Sequence, residues 1–222
     1  MAKKMSQNIK TLNLSTPQSM EYYVSISNDK DRKKFVSRVE KIVRASLEYR
    51  DYIQFLKEHI GLDRCIFFQN VSNGENKKGR ISIELHHEPF TLFDIVNTVL
   101  QKYLDEGLPI NDLIISDEVL ELHYANKVGL VPLSKTAHQI IHNSTKLMIP
   151  LNMVYGEYSK FLDEYEPYVD DSIYTKLEKK IDMTKSLTPE SFDAIKKEFT
   201  YLEVNGFDEV EKMELDEQRL FA

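Results

Sequence analysis

A single cysteine in 222 residues, Cys65, has no partner for an internal disulfide and excludes any multi-cysteine zinc module. Apolar residues never run on long enough to span a bilayer. The opening Met-Ala-Lys-Lys-Met-Ser-Gln-Asn is basic but has no apolar stretch behind it, so it does not read as a secretory signal. A cytoplasmic location and no membrane partner are therefore the expectations. There is no internal repeat and no low-complexity segment. Histidine is scarce too, at six residues, yet five of them (His86, His87, His123, His138 and His142) fall within one stretch of the chain.

What is present is an ordinary globular composition, 41% hydrophobic and 29% charged, at a length that buries one good core. The net charge of −7 argues mildly against a nucleic-acid partner, but it is unevenly spread. Residues 1–90 hold 16 Lys and Arg against 11 Asp and Glu, and residues 91–222 hold 13 against 25. The amino-terminal part can thus present a basic surface locally.

Residues 1–27 are polar and read as an arm. A period near 3.6 through Phe35, Val39, Ile42, Val43, Leu47, Ile53, Leu56 and Ile60 predicts a helix over 30–60, capped by Asn28 or Asp29 and stopped by Gly61. Lys34, Arg38, Lys41 and Arg44 line one face of it. Next comes a hairpin signal. Cys65–Val71 and Arg80–His86 read as partner strands about a polar turn that carries Asn73-Gly74 and Lys77-Lys78. Thr91 caps a helix that ends before Gly107, and Ser116–Lys127 reads as another. Gly129–Leu133 is extended, and Ser134 caps a helix through His142. Helices follow at about 150–166, 171–184 and 188–202, before an acidic tail. The chain divides into an arm and basic helix at 1–60, a central unit at 61–147, and carboxy-terminal helices with the tail at 148–222.

The histidines carry the chemistry. His138 and His142 stand four apart, so on a helix both imidazoles face the same way. His86 and His87 end a strand, and alternation turns them to opposite sides, which suits two different jobs. A strand end and a helix face can together offer three imidazoles to one metal ion and leave a fourth beside it. Three ligands with open positions is the layout of a catalytic metal site. Imidazole ligands favour Zn, Ni, Co or Mn over Mg, which prefers oxygen. Glu84 or Glu88 could orient a ligand imidazole from behind. A His-Glu-x-x-His metalloprotease is excluded because Gln139 stands where that chemistry needs a glutamate base. His123 reads as an ordinary satisfied histidine, His59 as a cation suited to a helix end, and the run Tyr155, Tyr158, Phe161, Tyr165 and Tyr168 as core.

The series strand–His86-His87, then Gly129-Leu-Val-Pro-Leu-Ser134, then Ala137-His138-Gln-Ile-Ile-His142-Asn143 resembles the HNH endonuclease family. That resemblance implies an α+β, mainly helical chain. It would hold a ββα-metal core with a helical insertion between its two strands and flanking amino- and carboxy-terminal helices. It implies His86, His138 and His142 as ligands of one divalent ion (Zn, Ni, Mn or Mg) and His87 as general base. The family's base-orienting Asn falls at Gly129, leaving Asn126 for that role, and Ser134 and Ala137 stand where members often carry zinc-binding cysteines. The implied function is metal-dependent hydrolysis of phosphodiester bonds in DNA, with RNA not excluded. The alternative is a catalytically altered domain acting as a nucleic-acid- or protein-binding module. The lysine- and tyrosine-rich composition is similar to that of phage or low-GC bacterial proteins. Phosphate contacts are expected at Lys77, Lys78 and Arg80 on the hairpin, and at Lys34, Arg38 and Lys41 on the first helix.

Overall fold

A computed structural model describes residues 24–68, 71–72, 82–143 and 149–187. The first helix, α1 (Asp29–Ala45), begins where the Asn28 side chain accepts the Asp31 N–H at 3.0 Å. It buries Phe35, Val36, Val39 and Val43, one stripe of a 3.6-residue period. The expected single helix over 30–60 is divided at Ser46. This residue is extended (φ −65°, ψ 152°), and its N–H closes α1 on Ile42 and Val43. Its hydroxyl oxygen accepts the Tyr49 N–H at 3.1 Å to open α2 (Leu47–Phe55). A wider turn, Leu56–Ile60, continues α2 and ends at Gly61, whose φ of 88° suits a residue without a side chain.

The sheet has two strands, β1 (Ile83–His87) and β2 (Leu130–Ser134), antiparallel, with His86 opposite Val131 and His87 opposite Leu130. The expected hairpin between 65–71 and 80–86 is corrected by this pairing. Cys65 and Val71 close a local turn, and Ile66 donates a single backbone bond to Pro132 of β2. The burial of Cys65, Phe67 and Phe68 against Val131 and Leu133 outweighs the local turn signal.

Between the strands run α3 (Leu92–Asp105), opened by a Thr91–Asp94 capping box, and α4 (Asp112–Tyr124). The latter starts four residues before the expected Ser116, because Asn111 caps it, and Ser116 instead bonds back to the Asp112 carbonyl at 2.6 Å. Directly after β2, α5 (Lys135–Asn143) packs on both strands, with Ser134 Oγ accepting the Ala137 N–H. Then come α6 (Tyr158–Tyr165) and α7 (Asp171–Ser186), each preceded by a short 3-10 turn, at Leu151–Met153 and Glu166–Tyr168. The expected helix at 188–202 and the acidic tail lie outside the described residues.

The protein is therefore α+β and mainly helical, with one small antiparallel sheet among the described residues. Two cores meet at that sheet. Leu85 and Leu130 belong to a large core built from α1–α4, α6 and α7; Ile83, Val131 and Leu133 belong to a smaller one with Ala137 of α5. Among the described residues, no helix is long and apolar enough to cross a membrane.

Candidate metal centre

The sheet places His86 and His87 on opposite faces, and the two faces are chemically unlike. His86 turns toward α5, where its ring centroid lies 5.0 Å from that of His138 and 5.1 Å from that of His142. The helical spacing brings His138 and His142 to 4.5 Å, with their Nε2 atoms 2.9 Å apart. One nitrogen from each of the three rings lies within 4.8 Å of the others. A tetrahedral ion with bonds of about 2.0–2.1 Å separates its nitrogens by about 3.3 Å, so small rotamer changes close the set. The shell opens outward: His86 is buried, His138 half-buried and His142 exposed.

Glu84 shares the face of β1 with His86, and its Oε2 lies 2.5 Å from His138 Nδ1. A carboxylate acceptor there makes Nδ1 the N–H and leaves the Nε2 lone pair turned to the cluster. Behind His86, Glu88 Oε2 lies 3.5 Å from Nε2, and its other oxygen is paired with Lys180 of α7. Burial pushes the His86 imidazole down to about 4, with the His142, Lys180 and Arg44 charges adding to it. His138 and His142 are also lowered, first by burial, although Glu84 works against this at both. Neutral imidazoles at pH 7 are ready to donate to a cation. Lys180 is lowered to about 8 by burial.

His87 does not stand in this cluster. It is 4% exposed, and its Nε2 lies 3.0 Å from Nε2 of the fully buried His123 of α4. His123 gives its Nδ1 hydrogen to the Val119 carbonyl at 2.6 Å, so its Nε2 accepts, and His87 Nε2 must be the donor. The Tyr49 ring stacks on His87 at 6.4 Å, and Tyr52 meets His123 edge-on. A base role at the cluster is corrected by this burial and by the committed Nε2 hydrogen. His123 is the satisfied core histidine that its helical position suggested.

Asn126 does not orient His87 either. Its side-chain oxygen is buried without a hydrogen-bond partner among the described residues, and its backbone turns the chain at φ 57°. Gly129 has no room for a side chain, since a Cβ there would meet the Glu88 carbonyl oxygen at 1.9 Å. On α1, Lys34, Arg38 and Lys41 are exposed, opposite the buried stripe, and Arg38 is ion-paired with Asp112. Lys77, Lys78 and Arg80 lie outside the described residues. Lys180 was invisible to sequence reasoning. It reaches Glu88 from 92 positions away, and no local pattern marks such a contact.

Residues 1–216 match the family of bacteriophage G278-like virion proteins, which is nearly the whole chain. The protein belongs to that family, and its origin is a phage. No curated protein and no solved structure matches it. The family match overturns the resemblance to HNH endonucleases. The residues that carried the resemblance, a histidine pair at a strand end and two histidines one helical turn apart, are what any strand-plus-helix imidazole cluster requires.

Proposed function

We propose that His86, His138 and His142 hold one divalent transition-metal ion, and that this phage protein uses it to hydrolyse a phosphate ester. The observation that carries the reading is the convergence of three neutral imidazoles from β1 and α5 on a site open to solvent on the His142 side. In this reading β1, β2 and α5 act as one metal-holding ββα unit. An ion so bound would lower the pKa of water and offset charge building on a phosphoryl oxygen. The chain's own residues prepare that chemistry. Glu84 holds His138 through Nδ1 and keeps its Nε2 lone pair aimed inward, and Glu88 stands 3.5 Å from His86 Nε2. Lys180 balances Glu88, so the buried carboxylate behind His86 is not left uncompensated.

A second reading has its own support. The ion would join α5, a helix of nine residues, to the sheet beneath it, and nine residues are marginal as an isolated helix. In that case the metal is a staple for a particle component. The full-length protein, stripped with EDTA and reloaded with Zn²⁺ or Mn²⁺, separates the two. Hydrolysis of bis(p-nitrophenyl) phosphate that needs the metal and is lost in His138→Ala supports the hydrolytic reading. Stoichiometric metal that raises the melting temperature without turnover supports the staple. Failure to bind either ion overturns both.

A further inference from the structure

The end of α1, α2 and the turn that follows it line a solvent-open cleft of about 400 Å³. Arg44, Arg50 and Lys57 line it with Tyr49, and among the described residues Glu58 is the only acid in its wall. Glu58 is already engaged by Gln54 at 2.9 Å. Arg50 and Lys57 stand seven apart, two helical turns, and so project to the same side. Arg44 lines the same cleft from the last turn of α1, across the break at Ser46 that divides α1 from α2. Three cations around one cavity repel one another, and an anion between them relieves that repulsion.

The hydrogen bonding leaves these groups available. Arg44 makes no hydrogen bond or ion pair among the described residues. Among the described residues Arg50 bonds through Nε alone, to the Ser46 carbonyl at 3.3 Å, which leaves its two terminal NH2 groups. Lys57 gives one of its three hydrogens to the Ile83 carbonyl of β1 at 2.5 Å and keeps two. One of these contacts reaches the strand that carries the cluster: Ile83, held by Lys57, is three residues before His86 on β1, whereas Tyr49, in the wall, stacks on His87 at the opposite face of that strand. The Arg44 charge acts on His86, His138 and His142 alike, lowering the proton affinity of each.

We propose that the Arg44–Arg50–Lys57 cleft is an anion site that takes a phosphodiester, with the two guanidiniums and the lysine ammonium on its phosphate oxygens. The inference rests on the metal-centre reading for what happens next, but not for binding itself. The cavity is of small-molecule size, matching one or two phosphate units rather than a length of duplex. Planar guanidinium forks are suited to phosphate oxygens.

The test uses the full chain freed of metal with EDTA. Binding of inorganic phosphate and of a thymidine dinucleotide is followed by calorimetry and by chemical-shift changes. Both ligands should bind competitively, and affinity should fall at least about tenfold in the Arg44→Ala/Arg50→Ala double variant. Affinity should be kept in His138→Ala. The paired lysine substitutions, Arg44→Lys/Arg50→Lys, keep the charge and the fold while removing the forks, and should recover only part of the affinity. Dinucleotide binding that is equal in all four proteins, or binding of inorganic phosphate alone, overturns the proposal. Binding that follows the arginines without metal-dependent turnover retains the anion site and discards the hydrolytic reading of the cluster.

Discussion

Gly129 and Glu88 are locked backbone to backbone at the end of the sheet. The Glu88 N–H donates to the Gly129 carbonyl at 3.0 Å, and the Glu88 carbonyl oxygen occupies the place a Gly129 side chain would take, 1.9 Å from a Cβ. This contact sets where β2 enters against β1, one residue beyond the His87–Leu130 pair, and so fixes the height of His86 over α5. Replacing Gly129 by alanine should cost at least about 1–3 kcal/mol, because the obstructing atom is backbone and cannot swing away. Chemical denaturation of Gly129→Ala checks this, and unchanged stability would show that the two strands can part there. An asparagine at 129 would be no better tolerated, so the protein cannot host that residue at this point of the chain.

Glu84 should control the metal through His138. Glu84→Gln removes the charged acceptor from His138 Nδ1 while leaving all three imidazoles in place. The expected result is zinc affinity weaker by about 10–100-fold, with no loss of helical signal. Competition against a chromophoric chelator measures it. An affinity equal to that of the unaltered protein would mean that Glu84 is merely a neighbour.

His87→Ala separates the two faces of β1. The substitution opens a cavity against Tyr49 and leaves the His123 acceptor unpaired, which should cost about 2–4 kcal/mol. Metal binding at the opposite face should persist in the folded fraction. Loss of metal with intact stability would place His87 in the coordination sphere after all.

The buried histidine pair also predicts an acid limit. Burial pushes His123 down to about 4, whereas in the unfolded chain an imidazole titrates near 6.5. Between those values the unfolded chain binds the extra proton and the folded one does not. Stability is therefore full above about pH 6.5, falls as the pH drops toward 4, and levels off below it, with a loss on the order of 3 kcal/mol. In His123→Phe that slope between pH 6.5 and 4 should become shallower by the His123 share, with the lowered His86, His138 and His142 supplying what remains, and the variant starts from a lower stability because the His87 donor loses its acceptor. Denaturation curves at several pH values test the sign; a protein that gained stability on acidification would refute it.

The histidine cluster was legible because it depends on short-range periodicity. Positions 138 and 142 share a helix face by the 3.6-residue repeat, and 86 and 87 part by the two-residue repeat of a strand, whatever surrounds them. The caps at Asn28, Thr91 and Ser134 were legible for the same reason, since each is decided within four residues. The strand partner was not. The turn signal near Asn73-Gly74 pointed to a local hairpin, while β1 pairs with β2 across two intervening helices, because only that pairing buries Leu85 and Val131 in their separate cores. The resemblance to a nuclease family misled for a related reason. It read the ligand spacing, which local geometry forces, and extended it to His87, whose role depends on what lies across the strand.

By itself, then, the sequence determined several helices, the caps at Asn28, Thr91 and Ser134 and the set of imidazoles able to meet, since these follow from backbone periods and hydrogen bonds between near neighbours; the break at Ser46 and the start of α4 at Asp112 were not among them. The tertiary structure alone decided which histidine faces solvent and which is sealed against Tyr49 and His123, and it alone brought Lys180 to Glu88 and gathered Arg44, Arg50 and Lys57 around one cleft. Those outcomes are set by which apolar faces bury one another, a choice made by the whole chain at once and carried by no short stretch of it.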